Sequence, residues 1–576
     1  MSIRLAARPD LIALAALCLV VAACAPPPRV AAPTATTVTA AAVAPAPGGT
    51  AAAVAASGSP DRVDMSIATD RSGSGGTLII GMSAGNVPYP NTPPNEGYEG
   101  TRFVGNQIYD ELTPVNYDQG DTVPTPSPGL ATDWSVGDDK LTWTFHLRKG
   151  VKFHDGTEFN ADALVFDFDR VLKKDFQYFD TAAAASGGFN LLKIDTYRAV
   201  DPYTFEIKTK GEYSFLPWDM SHFMVASPTA VKTYGFQEYI KHATGTGPYK
   251  MTKYVDGQVM ELEPNADYWG GKPKLDKIVL RPMPDPATRL AALQSGEINW
   301  AEVPPPDSVQ QLQAQGFNIL LKQYPHTIIF ALNTYDKPFN DVRVRQALQY
   351  AVDRVGMCTS LLKGLCMPAS QYVYPGHPWY DTDFGQTYTY DPGKARQLLA
   401  DAGYPNGIKM SIAYPTGGSG NMWPPQMMEL VQSNYKAAGI DLQLVPLEWN
   451  SIISLFIGGF SDPANKKYDA IYISLAPDSP TFTFFSFTSD GLPPNCCNPT
   501  GYTNPKVEAL WKSVQSEFDP TKQDDLLKQM QGLIAADASF TYVVHDLNLR
   551  VLSPKVRGFM PSRSWFADLR NVWIKD

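Results

Sequence analysis

Catalytic signatures are what this sequence lacks. Its 576 residues hold seven histidines and six cysteines. There is no His-Glu-x-x-His pair for zinc and no Gly-x-x-x-x-Gly-Lys loop for phosphate. There is no Gly-x-Ser-x-Gly elbow either; Gly417-Gly418-Ser419-Gly420 misses it by one residue. The histidines are scattered, at 146, 154, 222, 242, 326, 377 and 545. Excess positive charge is missing too. Lys and Arg total 48 against 58 Asp and Glu, a net charge of -10. A nucleic-acid partner normally needs a basic face, so none is expected. Past the N-terminus no run is long and apolar enough for a membrane-spanning helix.

What is present begins with a targeting segment. Arg4 and Arg8 precede the apolar run Leu11 to Val21, the length of a signal-peptide core. Val21-Ala22-Ala23-Cys24 follows and resembles a bacterial lipobox. The chain is therefore expected to be cut after residue 23 and lipidated on Cys24, which tethers a protein to a membrane face without inserting it. An ordinary secretory signal with an incidental Cys is the plainer alternative. Residues 24–76 are rich in Ala, Pro, Thr, Ser and Gly. They have too few large apolar residues to build a core and read as a disordered tether. Four cysteines remain: Cys358, Cys366, Cys496 and Cys497. An even number in an exported chain points to disulfides, with three pairings open. A zinc site would need other spacings and a nearby His.

The composition of the remainder is globular, with 44% hydrophobic residues, and its length suits more than one domain. "TLIIG" from Thr77 reads as the first strand. Leu141 to Leu147 alternates as a half-buried strand does. His154-Asp155-Gly156 then lies between strand and helix, where Asp-Gly makes a tight turn. With no second His and no nucleophile nearby in sequence, it reads as scaffold. Asn160 caps a helix with Leu164, Val165, Phe168, Val171 and Leu172 on one face. Further helices are expected over "NDVRVRQALQYAVDR", from Asp391-Pro392 to Gly403, and over 426–438 before Gly439. Strands such as "KIVLRP", "TIIFAL" and "DLQLVPL" alternate with them, which argues for α/β lobes.

Four long stretches then stand in a recognisable order. They are "GLATDWSVGDDKLTWTFHLRKGVKFHDGTEFNADALVFDFDR", "GTGPYKMTKYVDGQVMELEPNADYWGGKPKLDKIVLRPMPDPATRLAALQSGEIN", "FALNTYDKPFNDVRVRQALQYAVDR" and "DPGKARQLLADAGYPNG". On these the chain resembles the bacterial ABC-transporter substrate-binding proteins of family 5, the oligopeptide/dipeptide/nickel type, over essentially 77–576. The resemblance implies an α/β, periplasmic-binding-protein-like class II (type 2) fold. Lobe I would comprise 77–107, 247–323 and 544–576, with an extra domain, 108–246, packed on it. Lobe II would comprise 324–543. It further implies a monomeric, non-enzymatic, cofactor-free lipoprotein on the outer face of the cytoplasmic membrane. Such a protein captures oligopeptides between closing lobes and delivers them to ABC permease and ATPase subunits.

Asp478 in "SLAPDSP" matches the family's Asp that pairs with a peptide's α-ammonium, although Leu475 and Ala476 stand where a Trp is usual. A solvated turn Asp is the plain alternative. Trp449 matches a pocket aromatic, or is ordinary core. Trp423 could stack on a solute, and Asn333 is a further ligand-binding candidate. The dipeptide binders' Arg ahead of the 426–438 helix is missing from "YPTGGSGNMWPPQ". An unpaired buried carboxylate is costly, so a longer peptide or a neutral solute fits better. An oligosaccharide or other non-peptide solute is the alternative within this class. A surface receptor or chaperone-like lipoprotein uncoupled from transport is the alternative outside it.

Overall fold

Strands rich in Ile, Val and Leu build the frame. The computed structural model describes residues 60–576 apart from Pro93, Asn95, Glu96, Pro477, Asp478 and Cys496. The signal peptide, Cys24 and residues 24–59 of the expected tether lie outside the described residues. Among those described, no helix is long and apolar enough to cross a membrane.

Lobe I is a seven-stranded mixed sheet. Its middle strand, Thr77–Met82, runs parallel to Lys277–Pro282 with Thr77 opposite Lys277, and parallel to Trp300–Glu302. Arg550–Leu552 pairs antiparallel with Trp300–Glu302 and with Asn318–Leu320, so the C-terminal tail is stitched into this lobe. Lobe II is a six-stranded sheet. Its inner strands Thr327–Leu332, Ala470–Leu475 and Phe540–Asp546 are buried along their whole length. Strands covered on both faces read as continuous apolar runs, which is how "TIIFAL" and "AIYISL" read. The expected end of lobe II at 543 falls inside Phe540–Asp546, whose ladder with Cys366–Pro368 continues to Asp546. The boundary belongs after Asp546, because hydrogen-bonded pairing and not the apolar run sets the strand's end.

The extra domain is a four-stranded antiparallel sheet covered by the helix Ala161–Leu172. Asn160 caps that helix, its side chain accepting from the Ala163 N–H. Leu164, Phe168 and Val171 are buried as the spacing predicts, but Leu172 is exposed. The buried face extends instead to Asp167 and Arg170. Arg170 Nε lies 3.0 Å from Asp167 and Nη1 3.2 Å from Asp180, so the charges are buried as a set. The turn at His154-Asp155-Gly156 is scaffold. Asp155 Oδ1 accepts from the Thr157 N–H and its Oδ2 from Ser227 Oγ. Gly156 takes φ +85°, and burial pushes the His154 imidazole down to about 4.

Two expectations need correction. The ordered chain begins before Thr77. Arg62 exchanges backbone hydrogen bonds with Leu321, and Asp61 faces Lys322 at 3.1 Å and Arg563 at 3.0 Å. A segment without a core of its own can be ordered by pairing onto an existing sheet, which composition does not report. The extra domain, moreover, does not pack on lobe I alone. The Ser214 N–H donates to the Gln515 carbonyl at 2.7 Å, and the Tyr213 hydroxyl lies 3.0 Å from Thr481 Oγ1. Phe215 stacks on Trp511. Its bonds to lobe I include Gly247 N–H to the Ile108 carbonyl and Tyr268 to Asp110.

Cys358 and Cys366 are joined by a disulfide, and Cys497 is itself disulfide-bonded.

At the extra-domain seam with lobe II, Asp219 accepts from the Tyr213 hydroxyl at 2.7 Å while burial pushes its carboxyl up to about 7. An acid raised in the folded state binds more protons folded than unfolded between those two values. Its contribution to stability is therefore greatest at low pH and is lost as pH rises from about 4 to about 7. Asp219→Asn should remove this slope. Denaturant unfolding of both forms at pH 5 and pH 7 is expected to show the variant gaining on the parent by about 1.4 kcal/mol per pH unit. A constant difference would refute the assignment.

Candidate functional site

Two chain crossings join the lobes, at 321–326 and 547–549. They are tied to each other: the Lys322 N–H donates to the Leu547 carbonyl at 2.7 Å. Asp546 sits at the junction. Its Oδ2 accepts from the Tyr324 hydroxyl at 3.0 Å and lies 2.9 Å from His326 Nδ1. Tyr324, His326 and Trp565 stack with interplanar angles of 10–19°. The Arg102 guanidinium of lobe I lies 3.9 Å from the Trp565 ring. Thus the rear of the interlobe seam is a layered set of rings and one cation.

The lobe II wall is the loop after the strand Ile408–Pro415. Gly420 takes φ +70°, and a Cβ there would lie 3.1 Å from both His326 Nε2 and Ser474 Oγ. Gly418 takes φ +110°, and a Cβ would lie 2.6 Å from the Trp449 Cβ. Glycine is thus needed twice, for the backbone sign and for close approach. This loop and Ala476, which ends the neighbouring strand, stand at the carboxyl ends of parallel strands, where open α/β sheets bind ligands.

Polar groups at this seam are buried without partners. In lobe II these are Asn421 Oδ1, Trp423 Nε1, Trp449 Nε1 and Ser474 Oγ. Across the seam they are Arg102 Nε and Nη1, Asn548 Oδ1, Ser562 Oγ and Trp565 Nε1. Among the described residues the N–H groups of buried Ser419 and Gly420, and of half-buried Gly417 and Gly418, also meet no acceptor. Buried donors are normally satisfied, so a concentration of unmet ones marks where something else supplies the acceptors. The lobes already touch here: Tyr98 of lobe I packs edge-on against Phe482 of lobe II at 5.3 Å.

The candidates distribute unevenly. Trp449 is buried beneath Gly418, and Trp423 ends the same loop as the residue before the helix Pro424–Ala437. Asp478 lies outside the described residues, just beyond Ala476. Asn333 is not brought to the seam. It closes a turn, its Oδ1 accepting from the Tyr335 N–H, at the opposite end of Thr327–Leu332. At about 3.3 Å per residue, that is roughly 20 Å from His326. Sequence reasoning missed Arg102, His326, Ser474 and Trp565. The glycine spacing of "TGGSGN" was the available signal for the loop.

This arrangement is the two-lobed, type 2 periplasmic-binding-protein fold of solute-binding proteins. Comparison with known proteins places it further. Residues 125–492 match the family model for bacterial extracellular solute-binding proteins, family 5. The chain belongs to that family, whose members serve ABC importers. It is 30% identical to heme-binding protein A of Haemophilus influenzae, covering 81% of this chain and 86% of that protein. It is 29% identical to the glutathione-binding protein GsiB of Pectobacterium atrosepticum, covering 75% and 82%. The structure of DppA from Helicobacter pylori in complex with the peptide STSA superposes with TM-score 0.77 at 25% identity, covering 87% and 99%. NikA from Staphylococcus aureus in complex with Ni(L-His)2 superposes with TM-score 0.70 at 20% identity, covering 87% and 100%.

Gly420→Ala is expected to cost about 1–3 kcal/mol, from the left-handed backbone and the contacts at His326 and Ser474. Urea unfolding measures it; a change below about 0.5 kcal/mol would mean that the loop is not held against the seam.

Proposed function

We propose that this chain captures oligopeptides between its lobes and hands them to an ABC importer. The observation that carries this reading is the glycine loop at 417–420, where the N–H groups of buried Ser419 and Gly420, beside the unpartnered Ser474 Oγ, meet no acceptor among the described residues. A peptide backbone offers carbonyl acceptors at regular spacing, and strand-like pairing to such a loop is a known recognition mode. Asp478, two residues after Ala476 in sequence, would take the ligand's α-ammonium. Arg102, whose Nη2 is already paired with Glu302 at 2.7 Å, has two further donors, Nε and Nη1, on the other lobe. The relatives' names are compatible with peptide-like cargo, glutathione being a tripeptide, but haem and nickel complexes also occur among them. The two unpartnered Trp Nε1 groups, on Trp423 and Trp449, are what an oligosaccharide or other ring-bearing solute would use instead.

Native mass spectrometry of the purified protein is expected to show a ladder of bound masses fitting short peptides. A sugar-spaced ladder would sink the peptide assignment. Asp478→Ala should weaken a free peptide by about 10–100-fold, the worth of a charge-assisted contact, and leave its N-acetylated form unchanged. Equal losses for both would remove Asp478 from the site.

Cys24 is the proposed lipid attachment point, which would hold the protein on the outer membrane face beside its importer. In cells, the parent is expected in the detergent phase and Cys24→Ser in the aqueous phase; identical partitioning would refute the anchor.

A further inference from the structure

Away from the interlobe seam, lobe I and the extra domain enclose a cavity of about 370 Å³. We propose that it is a second binding site, one that takes a small organic ammonium ion. Its walls carry three carboxylates, Asp110, Glu111 and Asp568, and one cation, Arg570. The cation is already spent: Arg570 Nε and Nη2 reach Asp568 at 3.0 and 2.6 Å. Asp110 is satisfied as well, accepting from Thr246 Oγ1 at 2.8 Å, Tyr268 Oη at 2.9 Å and Trp269 Nε1 at 2.9 Å.

Glu111 is different. It is 8% exposed and lines the pocket, and among the described residues its carboxylate meets no donor except its own backbone N–H. Burial and the neighbouring Asp110 push its carboxyl well above the usual range, as follows for a carboxylate without a counter-ion. A buried carboxylate facing a cavity is completed by a donor carrying positive charge. The chemistry of the walls narrows the donor. A divalent metal ion needs several free oxygens, and two of the three carboxylates are committed. Tyr117, Tyr268 and Trp269 add aromatic rings, which suit the alkyl part of an amine and its charge. The volume is that of a small-ligand pocket and exceeds what one water needs. Pro128 at the rim is solvent-exposed, so the cavity has a way in.

The test compares three probes of one shape and different charge on the full chain: n-butylammonium chloride, n-butanol and sodium butyrate. Thermal unfolding is expected to show a saturable rise in Tm with n-butylammonium alone, and none with it for Glu111→Gln. The rise should persist when the interlobe site is saturated with peptide, so failure here and failure of the peptide reading are separate results. No rise with n-butylammonium, an equal rise with n-butanol, or an equal rise in Glu111→Gln would overturn the proposal. Should Glu111→Gln not unfold cooperatively, Ser127→Phe, which fills the cavity from its wall, must abolish the rise; a retained rise overturns the proposal equally.

Discussion

The geometry of the whole molecule depends on Asp546. It is the last residue of a lobe II strand, and from there the chain passes back to lobe I. Its Oδ2 holds the Tyr324 hydroxyl of the other crossing and faces His326. One carboxylate therefore fixes both chain passages relative to each other. A hinge made of two covalent strands could splay or twist; one tied at its midpoint by a buried charge-assisted hydrogen bond is confined to fewer motions. The ring stack of Tyr324, His326 and Trp565 extends this control to the seam, because His326 is the residue against which Gly420 is packed.

That packing explains why unmet donors are tolerated. An unpaired buried polar atom costs about 1–3 kcal/mol, and the seam carries several. A structure that keeps them must gain elsewhere, and the fully buried strands of lobe II are the source. The cost is recovered when a solute supplies acceptors, and only when both lobes contribute. This is the physical form of a ligand-dependent closure: the closed arrangement is favoured in proportion to what the solute satisfies in it.

The frame of the fold was legible because it is written in local patterns. "TIIFAL" and "KIVLRP" are strands by composition, and Asn160 and Asp391 cap helices by side-chain oxygens that sequence alone identifies. What escaped was non-local. Nothing in "SPDRVDMS" reports that Arg62 will pair with Leu321, since the partner lies 259 residues away. Asp167 and Arg170 interrupt an apolar face for the same reason: the partners of Arg170, Thr92 and Asp180, and that of Asp167, the Ala226 N–H, come from other segments. The site divides likewise. The loop at 417–423 could be suspected from its glycines, while Arg102 and Trp565 are unremarkable in sequence and meaningful only once stacked. Asn333 lies at the far end of its strand from His326, and one-dimensional reading does not say which end of a sheet holds the ligand.

The extra domain changes how closure should be weighed. It is bonded to lobe I through Ile108, Asp110 and Gly247, and to lobe II through Tyr213, Ser214 and the stack of Phe215 on Trp511. Phe215 is fully buried and Trp511 nearly so. Aromatic side chains bury about 150–250 Å² each, worth several kcal/mol at roughly 25 cal/mol per Å². Any opening that separates this domain from lobe II must expose that surface. The closed form thus draws part of its stability from protein on protein, whatever lies between the lobes. A solute then has to supply only the remainder.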